Sequence, residues 1–130
     1  MMARAQVSLE YLLILAAFFS ALAIALPAIN YSIDQFAQAN DVLLAKDISE
    51  KLGEQLSLFD FLADGSRKTF EFVPTRKILI SMQNKQLVIA TEQKSFTLQT
   101  NSLQAFSKEF NSKFEITLAK VNNKTEISFS

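Results

Sequence analysis

The sequence predicts an α+β protein: a long N-terminal helix, apolar in its first half and amphipathic in its second, packed on a small antiparallel β-sheet head. Three observations lead there. Residues 11–33, from Tyr11 to Ile33, form an uncharged and largely apolar run. Apolar residues then recur at helical spacing as far as Leu62. Beyond Gly65 the apolar period falls from about 3.6 to 2, the change that separates helix from strand.

The uncharged run is long enough to cross a bilayer, which takes about 20 apolar residues at ~1.5 Å each. Tyr11 and Tyr31, the chain's two tyrosines, bracket it at a separation that matches the hydrocarbon thickness, and tyrosine favours both interfaces. A buried core helix is the competing account. Core helices, however, are rarely apolar on every face in so small a chain. Ala16, Ala17, Ala21, Ala23 and Ala25 offer either a small-residue surface for close helix approach or plain membrane filling.

From Ile33 to Leu62 the apolar positions are Ile33, Phe36, Ala37, Leu44, Ile48, Leu52, Leu56, Phe59 and Leu62, with charged residues between them. This pattern predicts an amphipathic continuation of one helix from about residue 6 to about 62, stopped at Asp64-Gly65-Ser66. In the head, alternation marks strands around Phe70 and Phe72, Ile78–Met82, Leu87–Thr91, Phe96–Leu98, Phe114–Leu118, and Ile127 and Phe129. Polar turns fall at Gln83-Asn84-Lys85, Glu92-Gln93-Lys94 and Val121-Asn122-Asn123-Lys124. Leu103, Phe106 and Phe110, following Ser102 as an N-cap, predict a short helix within the strand series. The expectation is one antiparallel sheet of five or six strands, covered on one face by Ile48, Leu52, Leu56 and Phe59.

Composition narrows the function. Thirteen basic and thirteen acidic residues leave no net charge to recruit nucleic acid, and none is expected as a partner. No cysteine and no histidine are present, which removes thiolate nucleophiles, disulfides and the commonest general base and metal ligands. A non-enzymatic protein without cofactor or metal is therefore expected. The basic pairs Arg67-Lys68 and Arg76-Lys77 read more simply as a solvated loop face than as a contact for an acidic surface or DNA.

The first residues discriminate among the functions open to an anchored head. Arg4 precedes Glu10, and Glu10 stands at the mouth of the apolar run, where an acid is unfavourable. An ordinary secretory signal would place positive charge directly before its apolar region. The stretch Arg4-Ala5-Gln6-Val7-Ser8-Leu9-Glu10-Tyr11-Leu12 resembles the class III signal peptide of archaeal type IV pilin-like proteins, with its Q-x-S-x-E-Y-L start. The signal motif residues are Arg4, Gln6, Ser8, Glu10, Tyr11 and Leu12. Gln6 stands where bacterial members carry Phe or Met, and the absence of cysteine departs from the disulfide loop of many bacterial pilins.

The resemblance implies cleavage by a membrane-embedded prepilin peptidase between Ala5 and Gln6. Gln6 then becomes the N-terminus, and Glu10 takes the fifth position, where the family keeps its glutamate. Pro27 corresponds to the proline that kinks pilin helices. The implied organisation is a leader at 1–5, a transmembrane and filament-core helix at 6–33, its amphipathic continuation at 34–64 and a β-sheet head at 65–130. The precursor would sit in the cell membrane as a single-pass protein with its N-terminus in the cytoplasm. After assembly it would be an extracellular filament subunit, a homo-oligomer built through Gln6, Glu10 and Pro27 with help from a pilus assembly platform.

Three alternatives remain at this point. The same leader serves minor pilins or anchored binding proteins that do not polymerise, and it serves archaellum-type subunits. A secreted domain cut after Ala23 or Ala25 also satisfies the small-x-small rule. Two sequons complete the reading: Asn30-Tyr31-Ser32, at the membrane edge of a helix, and Asn123-Lys124-Thr125, in a turn and the better acceptor.

Overall fold

A computed structural model describes residues 2–102 and 104–130, with side chains described from Gln6 onward. The chain contains helix α1 (Met2–Phe59) and, among the described residues, strands β1 (Arg67–Phe72), β2 (Ile78–Gln83), β3 (Gln86–Ala90), β4 (Ser95–Gln99), β5 (Phe106–Phe110), β6 (Phe114–Val121) and β7 (Lys124–Phe129). It divides into two compact units, one ending at Phe36 and the other Ala37–Ser130.

The first unit is helix alone. Its apolar side chains have nothing within the unit to pack against, so Leu12, Leu13, Ile14, Phe18, Phe19 and Ile24 are all exposed. The segment is long and apolar enough to cross a membrane, and none of it is buried within the chain. Two of its serine hydroxyls are satisfied by the helix itself. Ser20 Oγ donates to the Ala16 carbonyl at 2.8 Å and Ser32 Oγ to that of Ala28 at 2.9 Å, the back-bonding that makes serine tolerable in an apolar helix.

The second unit packs the rest of α1 against two antiparallel sheets. One has the order β1-β6-β7 and the other β4-β3-β2-β5, so the single sheet expected from the sequence is in fact two. Ala45, Ile48, Leu52, Leu56 and Phe59 recur every three or four residues and form one buried stripe. They join Ile78, Ile80 and Met82 of β2, Leu87 and Ile89 of β3, and Phe114, Ile116 and Leu118 of β6 in one core. Ile33 and Phe36 remain exposed, as does Leu62, which follows the end of the helix at Phe59. The buried stripe is therefore shorter than the apolar pattern suggested.

The second departure is β5, where a short helix was expected. Phe106 and Phe110 are four apart, a spacing that places two side chains on one face of a helix and equally on one face of a strand. The strand is selected by pairing: β5 lies against β2, with Ile78 opposite Phe110 and Met82 opposite Phe106. Ser102 Oγ does accept the Gln104 N–H at 3.4 Å, as an N-cap would, but among the described residues no helix follows. Leu103 lies outside the described residues.

Phenylalanines make the seam between the sheets. Phe110 of β5 stacks on Phe114 of β6 at 4.2 Å between centroids and meets Phe129 of β7 at 5.2 Å, while Phe106 meets Phe129 edge-on at 4.9 Å. Such ring pairs add about 0.5–1.5 kcal/mol each beyond their buried area. At the surface, the Glu109 carboxylate accepts from Lys77 at 2.9 Å and Glu71 accepts from Lys113 at 2.9 Å. These hydrogen bonds, and then the charges behind them, raise both lysine pKa values above 10.5. Both pairs are exposed and contribute little.

Two buried charged groups tie the helix to the sheets. Asp41 Oδ1 accepts the backbone N–H groups of Thr75 at 3.0 Å and Arg76 at 3.3 Å, fixing the link between β1 and β2. Lys120 of β6 sends its ammonium to the Phe59 carbonyl at 2.7 Å and the Asp60 carbonyl at 3.4 Å. These carbonyls belong to the helix C-terminus, where peptide acceptors lack intrahelical partners and the macrodipole favours a cation. Lys120→Met is expected to cost about 1–3 kcal/mol by leaving them unsatisfied. Amide hydrogen exchange of the β6 core measures this, and unchanged protection would remove the lysine from the account.

Just beyond, Gly65 has φ +93° and donates its N–H to the Lys120 carbonyl at 2.9 Å. An added Cβ there meets no atom within 4 Å, so the constraint is purely conformational. Gly65→Ala is expected to destabilise the head by about 1 kcal/mol, read as faster exchange at Ser66 and Lys120, with no change in the core packing.

Candidate functional site

The residues singled out by the leader motif lie in sequence on the first turns of α1 rather than converging from different elements. Arg4 and Ala5 fall within the helical span, but their side chains lie outside the described residues. Gln6, Ser8, Glu10, Tyr11 and Leu12 are all exposed. Gln6 and Glu10 are one helical turn apart and so share a face, and helical side chains lean toward the N-terminus. Glu10 has no hydrogen-bond or ion-pair partner among the described residues.

Beyond the Tyr11 hydroxyl, residues 12–26 are apolar except for Ser20, which is bonded within the helix. The segment thus presents one carboxylate at the end of a greasy rod. Such a rod is unfavourable in water, since exposed contiguous apolar surface of this extent demands a membrane or a partner. The carboxylate is unfavourable in either of those surroundings unless a cation meets it.

Pro27 lies 17 residues beyond Glu10, about 26 Å along the helix. Its ring removes the N–H that would bond the Ala23 carbonyl. The helix nevertheless continues through it to Phe59. Beyond the proline, Gln35 Nε2 donates to the Tyr31 hydroxyl at 2.6 Å, closing off the polar groups at the far end of the segment.

The two sequons occupy different surroundings. Asn30 is exposed on the helix of the first unit. Asn123 occupies the two-residue turn between β6 and β7, where Asn122 and Asn123 both adopt positive φ, 50° and 60°. Its backbone N–H donates to Asp64 Oδ1 at 2.8 Å, leaving the side chain exposed. Thr125 of the same sequon is buried.

Among the described residues, no group of three or more acidic, cysteine or histidine side chains could hold a metal ion. What the sequence reading missed lies in the head. The inward alternation Phe114, Ile116, Leu118 carried two residues further reaches Lys120, and the helical stripe Ile48, Ala45 carried back one turn reaches Asp41. Both buried charges were therefore signalled by periodicity, but their carbonyl and amide partners were not.

No curated protein and no solved structure matches the chain. Residues 4–27 match the family model described as the class III signal peptide, consistent with a type IV pilin-like or archaellin-like protein, and such a leader implies processing by a prepilin peptidase and assembly into a secreted filament.

Proposed function

We propose that this chain is a structural subunit of an archaeal type IV pilus-like extracellular filament, cut between Ala5 and Gln6 and polymerised through residues 6–33. The observation that carries the reading is Glu10, without a partner among the described residues, at the end of a wholly exposed apolar helix within the matched leader. Cleavage creates an ammonium on Gln6, beside the apolar segment. In a core of packed helices, the Glu10 carboxylate of one subunit meets the Gln6 ammonium of the next. Each charge removes the penalty of burying the other, so only one axial register is tolerated. The pair acts as a register device rather than as a source of net stability.

Pro27 contributes by making the helix locally deformable, since the Ala23 carbonyl is left without its intrahelical donor. The head, exposed on the filament surface, carries whatever attachment the filament performs, and Asn123 is the better placed of the two glycan acceptors. Electron microscopy of fibres shed from cells, with peptide mass spectrometry of their protein, tests the assignment. Fibres composed of this chain are expected. Cells that make the chain but yield only membrane-bound monomer would point to a minor or non-polymerising subunit.

The leader match is shared with archaellin-like subunits. A mutant lacking the chain that stops swimming but still attaches would favour that role over a pilus.

A further inference from the structure

The head contains a cavity of about 380 Å³, and its walls come from four separate stretches of chain. The end of α1 and the residue after it supply Gly53 and Asp60; the β2–β3 turn supplies Lys85; the segment after β4 supplies Asn101; the β6–β7 turn supplies Asn123 and the first residue of β7 is Lys124. All of it lies within the unit Ala37–Ser130, so the site does not depend on whether the chain polymerises. The volume is within the range of small-molecule pockets, and the walls are held in place. Thr100 N–H donates to the Lys85 carbonyl at 2.9 Å, Asn123 N–H to Asp64 Oδ1 at 2.8 Å, and Asn101 Nδ2 to Asp60 Oδ2 at 3.4 Å.

Gly53 shows that packing does not explain this shape. A glycine inside a helix is unfavourable by about 1 kcal/mol relative to alanine. Yet a Cβ at 53 would meet only the end of the Leu98 side chain, at an ordinary 3.4 Å. Nothing in the core requires the glycine; what it leaves open is the cavity wall.

We propose that this cavity binds an acidic saccharide. The lining sets two demands at once. Lys85 and Lys124, both exposed, offer donors and favour negative charge, and among the described lining residues Asp60 alone opposes them. The free Asp60 oxygen and the amide oxygens of Gln99, Asn101 and Asn123 can accept from several donors at once, which sulfate lacks and hydrogen phosphate supplies only singly or in a pair. A ligand with vicinal hydroxyls and a carboxylate meets both; Ser57 Oγ, whose proton goes to the Glu54 carbonyl at 2.7 Å, accepts from such groups, and the Thr125 hydroxyl can donate or accept. Among the described residues no aromatic ring lines the cavity, so recognition rests on hydrogen bonds and charge.

The test uses the full chain in detergent micelles, made in a host that does not N-glycosylate, with backbone amide NMR shifts of Lys85, Asn101 and Lys124 as the readout. The probes are a galacturonate trimer, the neutral galactose trimer and inorganic phosphate. The uronate trimer is expected to shift these amides saturably, the neutral trimer to bind about tenfold or more weakly, and phosphate to leave them unmoved at the same concentration. Gly53→Leu, which fills the cavity, and the pair Lys85→Asn with Lys124→Gln, which remove its charge, are each expected to weaken uronate binding about tenfold or more while exchange protection of the β2 core is unchanged. If Gly53→Leu disturbs the fold, the lysine pair decides. Absence of saturable uronate binding, equal response to phosphate, or a folded lysine variant that binds uronate like the wild type overturns the proposal.

Discussion

Glu10→Ala and Glu10→Gln chains are expected to insert into the membrane and to lose their leader normally, yet to produce no fibres. The carboxylate stands at the end of the apolar helix, and its removal makes insertion easier, if anything, because an acid near the hydrocarbon is unfavourable. The proposed cleavage site, Ala5–Gln6, is untouched. Assembly is the step affected. Without the acid, the Gln6 ammonium of each neighbour enters the helical core unpaired, and stripping one partner from a buried charge pair costs about 3–5 kcal/mol. Since about 1.4 kcal/mol is a factor of ten, subunit addition falls by more than a hundredfold. Gln keeps the shape and loses only the charge, so the two variants behaving alike assigns the effect to charge. Mature monomer starting at Gln6 is expected to accumulate in the membrane fraction, measured by N-terminal sequencing and by fibre yield. Wild-type fibre yield from either variant would dismiss the pairing.

The largest effect on the head is expected from Phe59→Ala. Phe59 is 1% exposed, is the last residue of α1, and offers its carbonyl to the Lys120 ammonium at 2.7 Å. Truncation opens a cavity beneath both sheets and loosens the helix terminus that Lys120 holds. Large-to-small changes at such a ring cost about 3–5 kcal/mol. That is a large share of the about 5–15 kcal/mol that holds a typical domain. The apolar first half of α1 would hide the loss in a helix-weighted signal, because that segment remains helical in membrane or detergent. Amide exchange at Ile80, Ile89, Ile116 and Leu118, buried in β2, β3 and β6, reports the head alone. Protection there is expected to fall by the full amount, and protection equal to the wild type would show that the helix end is not integral to the core.

Different parts of this molecule were legible in the sequence for different reasons. The apolar run and the stripe Ile48, Leu52, Leu56 and Phe59 were plain because helical periodicity is a local property. So were β1, β2, β6 and the turns at Asn84-Lys85 and Asn122-Asn123, where residues that tolerate positive φ sit between alternating strands. What failed was non-local. Division of the strands into two sheets depends on which edges meet, and nothing near Phe106 records that β2 has an edge free for it. The i, i+4 spacing of Phe106 and Phe110 then favoured a helix on local grounds alone.

The leader followed the same rule in the favourable direction: the class III signal peptide match covers residues 4–27 as one unbroken segment, so the resemblance is carried by local sequence alone. The polar cavity was beyond reach, because Gly53, Lys85, Asn101 and Lys124 are brought together only by the packing of the head.

N-terminal sequencing of the chain recovered from fibres tests the central claim most directly. The account predicts a single start at Gln6, which places a free ammonium one helical turn from Glu10. A chain that still begins at Met1, or one that begins at Ile24 or Leu26 as a secreted domain would, contradicts it.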